Sequence, residues 1–562
     1  MRKLLAYSDE ISVQPGQHIE FKVSSEMPGE FNFKIVHIRC GDNSPEGPGL
    51  KQTEIKSQAN GQYPARYQKT QVGSYIEMVG QNPEITGAFT LQAMIWPTLL
   101  GHKEQAIAGA WNHNKQSGYL LYLNAQGQLS AKLGDGSSKP TVVSTDTPLN
   151  ERRWCLVAVT FDVQSGILQV LQQPQDDYAS LSDTRAHASV HTQRRPDLTA
   201  PFLIAAWNEN DMDHEPRVAG IYNGKIDNPK VFRQAIPLNQ LHILKHRDLA
   251  SPFHDALAAD WDFSHEIKGT TIVDLSVNGI NGRTVNLPTR AMTGWNHDAS
   301  EMNWTHRPSH YGAIHFHEDD VYDCGWETDV RWKIPDDQKS GTYAAYFSQA
   351  DHWFYAPFYV RPKKGKPTAK LCLIIATASY YAYLNNQMPV TWDSLEEHSS
   401  NTFTVLSETD LHLKTHPEHG LSMYDNHTDG SGVCYASRLR PFMKMGPTDD
   451  LWQYNADTHI TDWLEETDIE FDVITDDDLN AEGVELIRDY TCVMTTTHPE
   501  YYSHPMMISL INYQNQGGRF IYMGGNGFYW RVAYHPELPG VIEMRRAEDG
   551  MRSWIAEPGE YY

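Results

Sequence analysis

Residues 369–376 read AKLCLIIA, a nearly unbroken apolar run ahead of a polar, aromatic segment. A run of this kind marks a strand covered on both faces, as in a parallel sheet, where a half-exposed strand would alternate. Downstream, Ile460, Trp463 and Leu464 share a helical face, and 469–474 (IEFDVI) reads as the next strand. A helix over about 480–490, a strand at 491–496 (TCVMTT), a helix capped by Ser503 and ended by Gly517-Gly518, and a strand at 519–523 (RFIYM) follow. Strand and helix in alternation predict a doubly wound parallel α/β domain over 368–562, which resembles the glutamine-amidotransferase arrangement. The basic linker KKGKP (363–367) sets its boundary.

Upstream the period changes to two. Ile19, Phe21 and Val23, then Phe31, Phe33 and Ile35, alternate as half-buried strands do, with turns at Pro15-Gly16 and Pro28-Gly29. A second series begins with Phe89, Leu91, Ala93 and Ile95 and continues through 119–123, 154–162 and 202–206. Its stretch GIYNGKIDNPKVF (220–232) resembles the closing strands of laminin-G/concanavalin-like sandwiches, which predicts a jelly roll over 79–245. Residues 246–317, rich in Asn, His, Arg and Pro, read as a wrapping connection. The strand-like stretches within 325–361 then complete an immunoglobulin-like sandwich begun in 1–78, giving a discontinuous domain of 1–78 and 318–362. The fold class is therefore multidomain, β-sandwiches followed by α/β.

With 46 basic and 71 acidic residues the formal charge is −25, which argues against nucleic-acid binding and against docking on anionic membranes. No span approaches the roughly 18 apolar residues of a membrane helix. The N-terminus has too short an apolar stretch for a signal peptide. Six scattered cysteines without a CxxC pair, and no export signal, predict reduced thiols and a cytoplasmic protein.

In open parallel sheets ligands bind beyond the strand carboxyl ends. Those ends carry Thr377, Tyr380, Tyr381, Tyr383 and Asn385 after the first strand, His498 to Tyr501 after TCVMTT, and Gly524 to Phe528 after RFIYM. Each set alone is ordinary loop chemistry; together they predict an active site. Cys372 and Cys492 lie inside predicted strands, which excludes a glutaminase elbow, and GxSxG and Walker A motifs are absent. GGNG (524–527) reads as a donor nest or tight turn. His315 and His317 would share a strand face beside Glu318, Asp319 and Asp320, a pattern that serves a zinc-like metal or a hydrogen-bonded cluster. The loop 425–430 (DNHTDG) has calcium-loop character but Ala436 at position twelve, so it is not an EF-hand.

Motifs along the whole chain resemble one family, the large subunit of N,N-dimethylformamidase. They are RCGDNSPEGPG (39–49), YGAIHFHEDD (311–320), GWETD (325–329), YDNHTDGSGVCYASRLRP (424–441), THPEYYS (497–503), GGRFIYMGGNGFYWR (517–531) and EMRRAEDGMRSWIAEPGEYY (543–562). The resemblance implies a mononuclear ferric iron held by two tyrosines and a glutamate. By motif these are Tyr383, Tyr424 and Glu500, although SYYAYLN (379–385) departs from the family's Trp-Gln-Ala-Tyr-Asn form, with Tyr380 and Tyr381 nearby. Phenolate and carboxylate are hard anionic donors that suit such an ion. His498 is the expected group for orienting water or protonating a leaving amine, and Asn526 for positioning the substrate carbonyl. The resemblance further implies hydrolysis of a small N-alkylated amide, a small helical second subunit, and larger hetero-oligomers. It also predicts that the chain stops short of the family's C-terminus. The other readings are an amidase for a different amide, or a carbohydrate-binding scaffold built on the laminin-G-like domain.

Overall fold

The computed structural model describes residues 2–85, 87–137, 139–176, 183–209, 218–391 and 405–545. Its N-terminal part is two sheets. Leu4–Ser8, His18–Ser25 and Thr328–Lys333 pair antiparallel in one. The other orders Ser12–Val13, His352–Val360, Gly341–Gln349, Glu30–Cys40 and Lys51–Ile55, with Gly61–Pro64 also on Glu30–Cys40. Their shared core is built by the alternating residues: Ile19, Phe21 and Val23 join Phe31, Phe33 and Ile35, and the Phe21 ring lies 5.5 Å from Phe33 and 5.8 Å from Phe358. Segments some 300 residues apart thus close one apolar core, which neither could bury alone.

Strands from Tyr75–Met78 to Ala313–Phe316 form a single hydrogen-bonded sheet system that closes on itself like a barrel. Phe89–Pro97 is flanked by Cys155–Asp162 and Gly224–Phe232, both antiparallel, and its Phe89, Leu91, Ala93 and Ile95 enter the principal core. Two expected boundaries are corrected. Tyr75–Met78 pairs with Phe202–Ile204 and Gly282–Val285, so it belongs here and not to the N-terminal sandwich. Residues 246–317 are not a wrapping connection, because Leu257–Asp262, Thr271–Asp274, Gly282–Val285, Thr289–Met292 and Ala313–Phe316 are strands of this system. These strands of four to six residues are separated by Asn-, Gly- and Pro-containing turns, too short to display a period of two.

The last part holds a parallel sheet of four strands in the order Phe471–Thr475, Leu371–Ile375, Cys492–Thr495, Arg519–Ile521. Leu371–Ile375 is interior, which accounts for its sequence. Leu373 and Ile375 enter a core with helices Thr377–Tyr383 and Tyr454–Glu466, whereas Cys372 and Ile374 enter another with Asp476–Glu482 and His504–Asn515. The expected helix over 480–490 is two short helices broken at Gly483, whose φ of +66° suits glycine. Ser503 does cap the following helix, accepting from the Met506 amide. A second sheet orders Tyr435–Ser437, Val541–Glu543, Trp530–Tyr534 and Tyr501–Ser503. No two of the six cysteines form a disulfide, and among the described residues no helix is long and apolar enough to cross a membrane.

Helix Glu408–Thr415 leads into a stack of imidazoles. The His412 ring lies 4.0 Å from His416 and 5.4 Å from His419, with planes within 8°. Burial pushes His412 down to about 4 and His419 to about 3, and the neighbouring imidazoles push the same way. The unfolded chain takes up these protons near pH 6.5, the folded chain only at the lower values, so stability is lost as pH falls below 6.5. His412→Gln is therefore expected to flatten the fall of the thermal midpoint between pH 6.5 and 4; an unchanged profile would contradict this.

Candidate functional site

The interior strand Leu371–Ile375 runs directly into helix Thr377–Tyr383, all of whose residues are buried. Two of its tyrosines anchor it. Tyr380 donates to Asp457, and Tyr381 donates to Asp477 at 3.1 Å, so both are core groups hydrogen-bonded away from the cluster. The third, Tyr383, ends the helix with its hydroxyl 2.8 Å from Glu500 Oε2.

Glu500 precedes the strand Tyr501–Ser503, and its backbone is fixed from both sides. Its N–H donates to Ser379 Oγ at 3.1 Å, and its carbonyl accepts from Tyr529 and Trp530 amides at 2.9 and 3.0 Å. Tyr424 arrives on the loop after Ser422, whose hydroxyl accepts the Tyr424 amide at 3.1 Å while donating to Asp425 at 2.8 Å. The Tyr424 hydroxyl lies 2.6 Å from that of Tyr383, the two rings stack at 4.2 Å, and a third hydroxyl, of Tyr501, meets Tyr424.

The remaining partners of the carboxylate are the expected ones. His498 Nε2 is 3.1 Å from Glu500 Oε2, and Asn526 Nδ2 donates to Oε1 at 3.3 Å. The glycines bring Asn526 in: a Cβ on Gly525 would stand 2.3 Å from Thr497 O and 2.7 Å from His498 Nδ1, and the Phe528 amide donates to Pro499 O at 2.9 Å. GGNG is thus a tight turn laid on the His498 segment. Trp452 lines the rim, its ring 4.9 Å from His498 and 5.6 Å from Tyr383.

Tyr383, Tyr424, Glu500, His498 and Asn526 therefore converge, from four separate stretches of chain. Tyr501 and Trp452 join them without having been singled out for a role. Tyr501 lies in the THPEYYS motif beside Glu500, whereas Trp452 carries no sequence signal.

The electrostatics favour a hard cation. Burial, with Tyr501, Tyr424 and Glu500 around it, holds the Tyr383 phenol far above the ordinary tyrosine value. Burial also acts to raise Glu500, but hydrogen bonds from His498 and Tyr383 outweigh it and keep the carboxyl below the usual range. The result is a charged carboxylate beside phenols that only a strongly charged ion would deprotonate. Hydroxyl and carboxylate oxygens 2.6–2.8 Å apart match neighbouring ligands of an ion with metal–oxygen bonds of about 2 Å. The donor set fits ferric iron.

Comparison with known proteins places this geometry in context. Residues 289–562 match the family model described as N,N-dimethylformamidase beta subunit-like, C-terminal, and residues 70–174 match that of the concanavalin A-like lectin/glucanases superfamily. The N,N-dimethylformamidase beta subunit of an Alcaligenes species is 37% identical over 99% of this chain and 75% of its own length. That of Paracoccus aminophilus is 36% identical over 100% of this chain and 76% of its own. Among solved structures, the Ruminococcus gnavus IT-sialidase CBM40 is 13% identical and covers 32% of this chain and 96% of that one, with a TM-score of 0.25, too low to bear on fold or ligand.

Proposed function

Because the chain belongs to the N,N-dimethylformamidase beta-subunit family, we propose that it hydrolyses a small N-alkylated amide, converting dimethylformamide to formate and dimethylamine. The observation that carries this reading is the meeting of Tyr383, Tyr424 and Glu500 oxygens with His498 and Asn526 at the carboxyl end of the parallel sheet. We read that sheet as the doubly wound, glutamine-amidotransferase-like core expected of 368–562. Ferric iron held by Tyr383, Tyr424 and Glu500 would supply Lewis-acid polarisation of the amide carbonyl and a lowered pKa for water.

The chain's own groups do the rest. His498, whose Nε2 lies 3.1 Å from Glu500 Oε2, is proposed to take a proton from the attacking water on its other ring nitrogen, Nδ1, and return it to the departing amine as the C–N bond breaks. Asn526 turns an amide N–H toward the same oxygens and orients the substrate carbonyl. Trp452 and the stacked Tyr383 and Tyr424 rings give one side of the site an apolar wall suited to N-methyl groups and partly closed to water.

The named relatives are beta subunits, and this chain is proposed to act with a small helical second subunit in a larger hetero-oligomer. Elemental analysis and a panel of formamides, acetamides and primary amides test the proposal. About one iron per chain and turnover of N,N-dimethylformamide are expected. Iron-free protein, or iron-loaded protein turning over none of the amides, would overturn it. Co-expression with the second subunit, followed by sizing, tests the assembly; an active monomer would contradict it.

A further inference from the structure

A cavity of about 370 Å³ opens in the barrel-like sheet system, on residues that the proposed reaction leaves unused. One wall comes from an irregularity in the strand Gly224–Phe232, whose pairing with Phe89–Pro97 shifts register between Asp227 and Lys230. Asn228, at φ +54°, sits in this bulge, its Nδ2 donating to Lys245 O at 2.7 Å and its Oδ1 accepting from Lys230 Nζ at 2.9 Å. Bulges re-aim side chains out of the regular alternation of a strand. Here Asp227, 4% exposed, lines the cavity.

The Asp227 carboxyl is left short of donors. Its Oδ2 accepts from the Trp295 amide at 3.3 Å, a long bond, and its Oδ1 has no donor among the described residues. The nearby cations are engaged elsewhere. Arg247 pairs with Asp260 at 3.2 Å and with Asp262 at 3.0 Å, and Lys230 Nζ donates to the carbonyls of Leu244 and His246 besides Asn228. Two glycines keep the carboxyl uncovered: a Cβ on Gly294 would stand 2.6 Å from Oδ2, and one on Gly312 3.3 Å from Oδ1. Burial pushes the carboxyl up to about 7 against the pull of Arg247, so it is largely ionised at pH 8.

The lining selects against ions of either sign. An anion would meet Asp227 and Asp262, and a cation would meet Lys245 and Arg247. Ionised carboxylates only accept hydrogen bonds, whereas ammonium and guanidinium groups only donate them. A hydroxyl does both, so an uncharged molecule with several hydroxyls can satisfy the two kinds of group together. Trp295 adds an apolar wall. Lys245 Nζ lies 5.1 Å from its ring centre and the His246 ring meets it edge-on at 6.1 Å, which holds the indole in place. A flat apolar surface beside a few convergent polar groups suits a sugar ring, whose C–H face is apolar and whose rim carries hydroxyls. The cavity volume also falls in the range of about 300–1,000 Å³ usual for small-molecule sites.

We infer that this cavity binds an uncharged, polyhydroxylated ring, either a free monosaccharide or the terminal sugar of a glycan, with a hydroxyl donating to Asp227 Oδ1 and a C–H face against Trp295. Binding is reversible and leaves the sugar unchanged. The site shares no residue with the Tyr383–Glu500 cluster, so it stands independently of the proposed amide hydrolysis.

Saturation-transfer NMR on the purified protein at pH 8 tests this, with glucose, galactose, mannose and N-acetylglucosamine as free sugars and lactose and chitobiose as short glycans. At least one is expected to receive saturation and to bind in calorimetry with a Kd of about 1 mM or tighter. Binding of monosaccharides identifies a free sugar as sufficient; binding of the disaccharides alone identifies a glycan terminus. Asp227→Asn, nearly isosteric, sets an NH₂ group against the ligand hydroxyl, and Trp295→Ala removes the apolar wall. Each is expected to weaken binding by about 10-fold or more while iron content and amide turnover stay as in the parent protein. Asp227 is buried, so Trp295→Ala decides the matter should Asp227→Asn not fold. Saturation of none of these sugars overturns the inference, as does undiminished binding in Trp295→Ala. Turnover is read on the same samples, so failure of the proposed reaction and failure of the sugar site are separable.

Discussion

Glu500→Gln is expected to abolish iron retention, remove the visible phenolate-to-metal absorption, and lower amide turnover by more than about 100-fold. Loss of an outer partner of a metal ligand already costs up to about 100-fold, and here the proposed anionic ligand itself is lost. The substitution keeps shape but removes the charge that His498, Tyr383 and Asn526 all address. It also puts an NH₂ where the Tyr383 hydroxyl donates, so a donor faces a donor. Tyr424→Phe should follow the same course, with iron lost and the absorption diminished. His498→Ala should behave otherwise, retaining iron and absorption while losing turnover, because its proposed role is proton handling. Unchanged iron and absorption in both Glu500→Gln and Tyr424→Phe would sink the ligand assignment.

What could be read in advance depended on how local the signal was. AKLCLIIA showed its strand because both faces of Leu371–Ile375 are covered. His498 and Glu500 could be placed on one side because the spacing of two in an extended segment needs no tertiary knowledge. Tyr383 was reachable only through resemblance. The helix Thr377–Tyr383 has no side-chain cap, and nothing local separates Tyr383 from Tyr380 and Tyr381; only the distant partners Asp457, Asp477 and Glu500 do so. Trp452 and Tyr501 entered the site through contacts across tens of residues. His317 and His427, whose rings stack at 3.7 Å, lie 110 positions apart, so each half could be read only as an isolated oddity. Residues 546–562, on which the expected early C-terminus rests, lie outside the described residues.

The segment misread as a connection carries the second large effect. Arg290, on the strand Thr289–Met292 and 3% exposed, is enclosed by the chain around it. Its Nη1 donates to the carbonyls of Glu266, Gly269 and Thr271 at 2.8–3.0 Å, and its Nη2 to those of Phe263 and His265 at 3.1 and 2.9 Å. Residues 263–271 are thus wound about one guanidinium, whose planar fork supplies donors in several directions at once. Arg290→Met keeps the stem but takes that donor from five carbonyls, two of which, those of Phe263 and Gly269, accept it in fully buried bonds. Each orphaned acceptor costs about 1–3 kcal/mol, and allowing for partial rehydration the loss is expected to reach about 4 kcal/mol, at the severe end for a single substitution. Lysine, with three donors on one tetrahedral nitrogen, should recover only part of it. Trp261, buried in the same sheet system with its indole N–H on Ile280 O, is one of the 15 tryptophans whose summed fluorescence follows urea unfolding. A shift in that transition equivalent to less than about 1 kcal/mol for Arg290→Met would show that the loop holds its shape without the guanidinium.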